Sequence, residues 1–289
     1  FQVMANRTFD SSHNITNQNI YTYDEVAMTT LLDIQEIRST GYTTSGVAAN
    51  QVIATYAPPV GVLAPALIEV KVVKNSGIDS RGNINTSVTT KYGISNTQAG
   101  DESESIDFSS PIDEQVTVST NFDVFGNAHN QTIYKRWYDT KLVGGQAAGW
   151  TFLEAQEIAN SSFDIYNQMH SSIVKTYSEA TCAFDAEGKA TISIVESSFK
   201  DLQQINIAQD GYDKNGNVKR QTVDTYVARP GVTVDPDDMQ TLILSDHKLT
   251  VNTYDDPMAA RRGNATLSVT TRYSDLDELA IHKIDRTET

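Results

Sequence analysis

The stretch Gly211–Tyr226, GYDKNGNVKRQTVDTY, reads as one β-hairpin with its turn written out. Asp213 stands at the first position of a four-residue turn and Gly216 at the fourth, the places where a type I turn favours Asp and Gly. Gln221, Thr222, Val223, Thr225 and Tyr226 follow as a run of strand formers, mostly β-branched or aromatic. The same sentence recurs along the whole chain.

Aligned on the turn residue, the copies are anchored at His13, Gly46, Gly82, Gly126, Asn167, Gly188, Gly216 and Gly263. Asn167 replaces glycine because Asn tolerates a left-handed backbone, and His13 is a weaker substitute. Three residues earlier stands Asp10, Asp79, Asp123, Asp164, Asp185 or Asp213, with Thr43 and Ala260 in the other two copies. An aromatic precedes it at Phe9, Tyr42, Phe122, Phe163, Phe184 and Tyr212.

Seven residues after the anchor the residue is β-branched in every copy: Ile20, Ile53, Thr89, Ile133, Val174, Val195, Val223 and Thr270. Ten after it comes Tyr23, Tyr56, Tyr92, Tyr177, Tyr226 or Tyr273. Arg136 and Ser198 break that column, and a one-residue bulge would restore the aromatic from Trp137 and Phe199. An odd separation puts the β-branched and tyrosine positions on opposite faces of a strand, so both faces are in use. The strand before the turn is fainter, with Ile37, Val73, Ile158 and Ile207 nine residues ahead of their anchors. A ninth, decayed hairpin is expected near His247, within Leu242–Tyr254.

The steps between anchors run from 21 to 47 residues, so the hairpin is held and the connection is free. Insertions fall at Pro58–Pro65, at Gly93–Asp113 with its acidic run Asp101–Glu104, and at Val143–Thr151. Gln146–Ala159 has helical composition, but its QEI matches strand positions in copy two, so strand is expected for its second half. The fold class is therefore all-β: a tandem antiparallel β-hairpin array, spiral or tube-like, continuous over 1–289.

Phe122-Asp123-Val124-Phe125-Gly126-Asn127 and Tyr212-Asp213-Lys214-Asn215-Gly216-Asn217, each followed by a Thr/Val-rich strand, carry a wider likeness. This motif resembles the YD-repeat (RHS-like) family of very long bacterial surface and secreted proteins, over about residues 4–275. The resemblance implies a long antiparallel sheet of hairpins, with any catalytic cargo in a separate terminal domain. The chain departs from that pattern in its spacing, since YD repeats run near twenty residues and only the step from Asn167 to Gly188 does so here.

Composition narrows the partners. A net charge of −15 excludes nucleic acid, whose phosphates it repels, and argues against an anionic membrane surface. No apolar run reaches the ~20 residues of a membrane span. One cysteine, Cys182, excludes a disulfide framework. The start at Phe1 is expected of a mature or excised piece, and an extracellular or cell-surface location is expected.

No catalytic, cofactor or metal residue is assigned. His13, His129, His170, His247 and His282 lack metal-ligand spacing, and Asp213–Asn217 resembles a calcium loop but lacks the Gly and Glu an EF-hand needs. Asp235, Asp237 and Asp238 form the best carboxylate cluster, read as a surface loop. Asn6, Asn14, Asn85, Asn130, Asn160 and Asn264 lie in glycosylation triplets. The expected function is a structural segment of a fibre, not an enzyme, that polymerises or oligomerises through its end strands. The alternative is an adhesin that binds cell-surface glycans on its tyrosine ladder.

Overall fold

The computed structural model of the protein describes residues 1–289 except 25–26, 61–64, 94–110, 141–147 and 262. Most of the three insertions lies outside the described residues, the acidic run Asp101–Glu104 included. The strands are β1 (Gln2–Phe9), β2 (Ile15–Tyr23), β3 (Leu31–Tyr42), β4 (Ala48–Ala57), β5 (Ala66–Ile78) and β6 (Ile84–Tyr92). They continue with β7 (Pro111–Phe122), β8 (Ala128–Asp139), β9 (Gly149–Phe163), β10 (Met169–Tyr177), β11 (Ala180–Phe184) and β12 (Ala190–Ile194). The chain ends with β13 (Phe199–Ile207), β14 (Arg220–Ala228), β15 (Leu242–Thr253), the short helix α1 (Pro257–Arg261), β16 (Leu267–Tyr273) and β17 (Lys283–Glu288). Among the described residues fifteen strands form one antiparallel sheet in chain order, from β1 at one edge to β17 at the other, not closed into a barrel. The expected strand over the second half of Gln146–Ala159 is β9.

The turns follow from their chemistry. In the turn Asp213–Asn217 the Gly216 amide donates to the Asp213 carbonyl at 3.1 Å, and the Asp213 amide to the Asn217 carbonyl at 2.8 Å. This is a type I turn closed by a bulged residue of positive φ. The Asp213 carboxylate accepts the amides of Asn215 and Asn217 at 2.8 and 2.9 Å. Asp10, Asp79, Asp123, Asp164 and Asp185 repeat this geometry. The fourth residue has φ of +66° at His13, +62° at Asn167 and +85° at Gly216, as the anchor column requires.

Each turn sets the register of its hairpin. Ile37 faces Ile53, Val73 faces Thr89 and Ile158 faces Val174, so the residue nine before the anchor meets the one seven after it. In the Gly216 hairpin Val223 faces Ile205 instead of Ile207, because an extra turn at Ala208–Gly211 precedes the Asp turn.

At six places between hairpins the register steps by one residue. Thr22 faces Asp33 but Tyr23 faces Leu31, leaving Leu32 as the extra residue of a β-bulge. Ile68, Ile112, Lys200, Ser245 and Ile284 are the extra residues at the tyrosines 56, 92, 177, 226 and 273. The leading strands thus share a motif of residue, bulge residue, acid: Leu31-Leu32-Asp33, Leu67-Ile68-Glu69, Pro111-Ile112-Asp113, Phe199-Lys200-Asp201, Leu244-Ser245-Asp246 and Lys283-Ile284-Asp285. The bulge pushes its residue outward, which is why Leu32, Ile68, Ile112 and Ile284 are exposed.

A second device ties neighbouring hairpins. The carbonyl two residues past the positive-φ residue accepts a side-chain hydrogen bond from the next hairpin: Ala48 from Asn75 at 3.0 Å, Ala128 from Asn160 at 3.2 Å, and Val218 from Asn252 and Tyr254 at 2.9 and 3.1 Å. Tyr42 and Tyr212 reach Ile15 and Met169 in the same way.

The contacts group the chain into two compact units. The first comprises Phe1–Ser119, Ile133–Leu153 and Cys182–Ile192. Its core packs Ala54, Tyr56 and Val70 with Ile34, Val52 and Leu67. The second comprises Thr120–Thr132, Glu154–Thr181 and Ser193–Thr289, with Tyr177, Leu202, Ile207 and Leu242 buried.

Three expectations change. The copy at Gly188 keeps its turn, but β11 and β12 pair only with each other, outside the main sheet. Within the first unit that hairpin docks through the Ala190 amide on Thr86 Oγ1 and the Ser76 hydroxyl on the Gly188 carbonyl. Phe199 therefore opens β13 instead of ending a strand of that copy, and Trp137 stays exposed, so no bulge restores an aromatic at either place. Second, Leu242–Thr253 is one unbroken strand with no hairpin near His247. Its polar residues make buried ion pairs instead of a turn. Third, at Gly263 the Asp turn is replaced by α1, and the glycine, at φ +76°, follows the helix.

Gly46 tests the turn constraint cleanly, because its φ is +78° and no atom lies within 4 Å of where a Cβ would stand. Gly46→Ala should lower the unfolding free energy by about 1 kcal/mol, the cost of a left-handed L-residue. Gly46→Asn should lose less. Equal losses in urea unfolding would show that backbone conformation is not what the glycine supplies.

Candidate functional site

A cleft of about 600 Å³ lies in the second unit beside the Asp213 turn. Tyr212 and Asp213–Asn215 come from the turn, Lys219 from the start of the trailing strand, Asn252–Tyr254 from the end of β15, and Pro257, Ala260 and Arg261 from α1. Pro257 opens α1 where its missing amide costs nothing. The Asn217 side chain donates to the Ala260 carbonyl at 2.6 Å and holds the helix against the turn. Tyr254 and Asn252 are fixed on the Val218 carbonyl, and Tyr212 on Met169. The walls are therefore set before any ligand arrives. Burial raises the Tyr212 and Tyr254 phenols above their ordinary range. Burial also pushes the Asp213 carboxyl up, but hydrogen bonds from Asn217 and Asn215 outweigh it and hold it below its ordinary value.

Lys214, Lys219 and Arg261 line the cleft, and among the described residues none forms an ion pair. By contrast Lys71, Lys91, Arg136, Lys175, Arg220, Lys248 and Arg272 all do. In a chain of net charge −15, three cations without carboxylate partners around two tyrosines make a local anion-attracting surface.

A second feature of this unit is a polar cluster around a buried histidine. His247, 3% exposed, bonds through Nδ1 to Asp224, while its Nε2 lies 3.6 Å from Glu278 Oε1. Glu278 sits at φ +54° and takes Arg220 through both carboxylate oxygens, at 3.3 and 3.0 Å. The ring of Tyr273 packs on the imidazole at 5.8 Å. The cluster pins the segment between β16 and β17 to β14 and β15. Asp224 lies two residues from Tyr226 on the same face, and that parity was its only sequence signal.

The remaining candidates disperse. Asp235 and Asp238 cap local amides of Asp237 and Gln240, while Asp237 pairs with Lys175 at 2.6 Å, so the three carboxylates serve separate partners. Asp275, Asp277 and His282 do converge, each offering a ligand atom within 4.8 Å of the others. Both carboxylates are exposed, and His282 already bonds Asp277 at 2.8 Å. His13 is a turn residue with positive φ, and His129 donates from Nδ1 to the Asn160 carbonyl at 3.0 Å. Burial raises the Cys182 thiol. Asn85 and Asn160 are engaged as donors to backbone carbonyls, unlike the exposed Asn6, Asn130 and Asn264. No helix among the described residues is long and apolar enough to cross a membrane.

No protein-family model matches the chain, and no curated protein matches it.

Asp224→Ala should destabilise the chain by roughly 3 kcal/mol in urea unfolding, because it strands a buried imidazole; a loss near zero would remove the cluster from the stability account. His170 gives a pH prediction. Its bond to the Ile207 carbonyl, then to Asp164 Oδ2 at 3.4 Å, raises it above its ordinary 6.5. A raised histidine contributes stability fully below that ordinary value and loses it as pH rises through the folded midpoint. An NMR titration should place the His170 midpoint above 6.5, and Asp164→Asn should lower it; a wild-type midpoint at or below 6.5 refutes the assignment.

Proposed function

We propose that the chain is a structural segment of an extracellular or cell-surface filament, built of YD-repeat-like hairpins and assembling through its end strands. One observation carries this reading: the sheet is open, and β1 and β17 at its edges are exposed at every residue. An edge strand offers a row of unpaired amides and carbonyls to another strand. Bulges and carbonyl ties key most hairpins to their neighbours, so the unit of construction is additive. The mechanism is mechanical: backbone ladders transmit load, and the net negative charge keeps segments soluble. Light scattering with electron microscopy should find species heavier than 31.8 kDa, lengthening with concentration. A strictly monomeric particle at the highest attainable concentration removes the filament.

The cleft favours a second reading, an adhesin that binds polysaccharide. Two tyrosine rings and the unpaired Lys214, Lys219 and Arg261 suit an acidic sugar. A glycan array should show hits among uronate or sulfated saccharides that Lys214→Gln/Lys219→Gln/Arg261→Gln abolishes; an array without hits removes this reading.

A further inference from the structure

The two free edges belong to strands of one kind. In every hairpin a leading strand enters the turn and a trailing strand leaves it. β1 leads into the turn at Asp10, and β17 carries Lys283-Ile284-Asp285, the bulge motif of the leading strands β3, β5, β7, β13 and β15. Leading strands all run one way, and each pairs only with trailing strands, always antiparallel. Adding β1 of one copy to β17 of another, with the buried faces on one side, would set two leading strands side by side and parallel. No such pairing occurs here. A two-fold axis perpendicular to the sheet at the junction keeps the faces aligned and the pairing antiparallel, but it joins like to like. Resting on the filament reading, we infer that copies assemble through two alternating two-fold junctions, β1 on β1 and β17 on β17, and not head to tail.

The edge chemistry fits such junctions. Phe1 and Tyr23 exchange both backbone hydrogen bonds, so by antiparallel alternation the amides of Gln2, Met4 and Asn6 face away from β2. Ser268 and Thr289 do the same, so the amides of Arg286 and Glu288 face away from β16. On β17 the axis can fall on Thr287, which sets Arg286 opposite Glu288 of the second copy, twice over. The registers on either side put Arg286 on Arg286 or Glu288 on Glu288, like charges directly opposed. On β1 the one charge is Arg7, and an axis on Ala5 sets it opposite Val3, buries Met4 against Asn6 and opposes no like charges.

Proline removes an outward donor while sparing the ladder inside, and edge strands tolerate it. Met4→Pro should leave the β17 junction and stop assembly at dimers; Arg286→Pro should leave the β1 junction and also stop at dimers; the double variant should be monomeric. Head-to-tail growth instead requires both single variants to be monomers that pair only when mixed, and that result overturns the inference while leaving the filament standing. A monomeric wild-type chain overturns the filament itself. Charge reversal supplies a variant without a proline. In the Met4→Pro background Arg286→Glu should weaken the dimer at least tenfold, and adding Glu288→Arg should restore it. If the second change restores nothing, the Thr287 register is wrong and the β17 junction with it.

Discussion

A single carboxylate organises each hairpin. Asp213, like its five counterparts, takes the amides two and four residues on, and so closes the turn with its own side chain. The fourth residue must then adopt positive φ, which selects Gly, Asn or His. The carboxyls of Asp10, Asp79, Asp123, Asp164 and Asp213 lie below their ordinary range; the Asn14 and Asn127 side chains lead in lowering Asp10 and Asp123, and the backbone amides lead at Asp79 and Asp164. The turn also fixes register. A slip of one residue would move every strand side chain to the wrong face, which is why the β-branched site meets the apolar residue nine before the anchor in hairpin after hairpin.

The constraint passes outward through the bulge. A tyrosine ends six trailing strands where the next leading strand holds one residue too many. That ring lies on the face that buries Ala54, Val70 and Tyr177. The acid after the bulge faces a Thr, Lys or Arg, as in Arg272 with Asp285 at 3.1 Å, and Glu69 also takes Lys91 across its own hairpin at 2.6 Å. Each cross-strand pair adds only ~0.2–1 kcal/mol, so the array is held by many small, registered terms. Aromatic residues outside the tyrosine column follow the same economy. Arg136 stands where a tyrosine is expected and does that residue's packing with its guanidinium, 4.5 Å over Trp150 and bonded to Glu114 at 2.8 and 2.6 Å.

The turns and trailing strands were legible because their chemistry is local: Asp, Gly and a β-branched run lie within fifteen residues of each other. The leading strands were not. Their acids stand thirteen residues before the anchor at Asp33, Glu69, Asp113 and Glu154, a column as regular as the tyrosines. The bulge hides it by breaking the alternation that marks a strand, and in the last two hairpins an added turn at Ala208–Gly211 and α1 shift it. His247 failed for a related reason. Ser245-Asp246-His247-Lys248 has the polarity of a turn, and only the pairing of Asp246 with Arg272 and of His247 with Asp224 makes it a strand. The cleft was beyond sequence altogether, since it joins residues from 212 to 261 through Asn217 and Val218.

Charge decides how such a sheet can grow. Two copies of net charge −15 repel, and the repulsion decays over about 8 Å at physiological salt. Strand addition brings edges to about 5 Å, inside that range. An edge can therefore pair only if its own charges do not add to the repulsion. β1 carries one positive charge, and β17 balances Lys283 and Arg286 against Asp285 and Glu288. Much of the acidity sits elsewhere, including turn aspartates bonded to amides and bulge acids of the inner strands. The same placement that folds each hairpin thus leaves the two edges close to neutral, which lets an acidic sheet present them to one another.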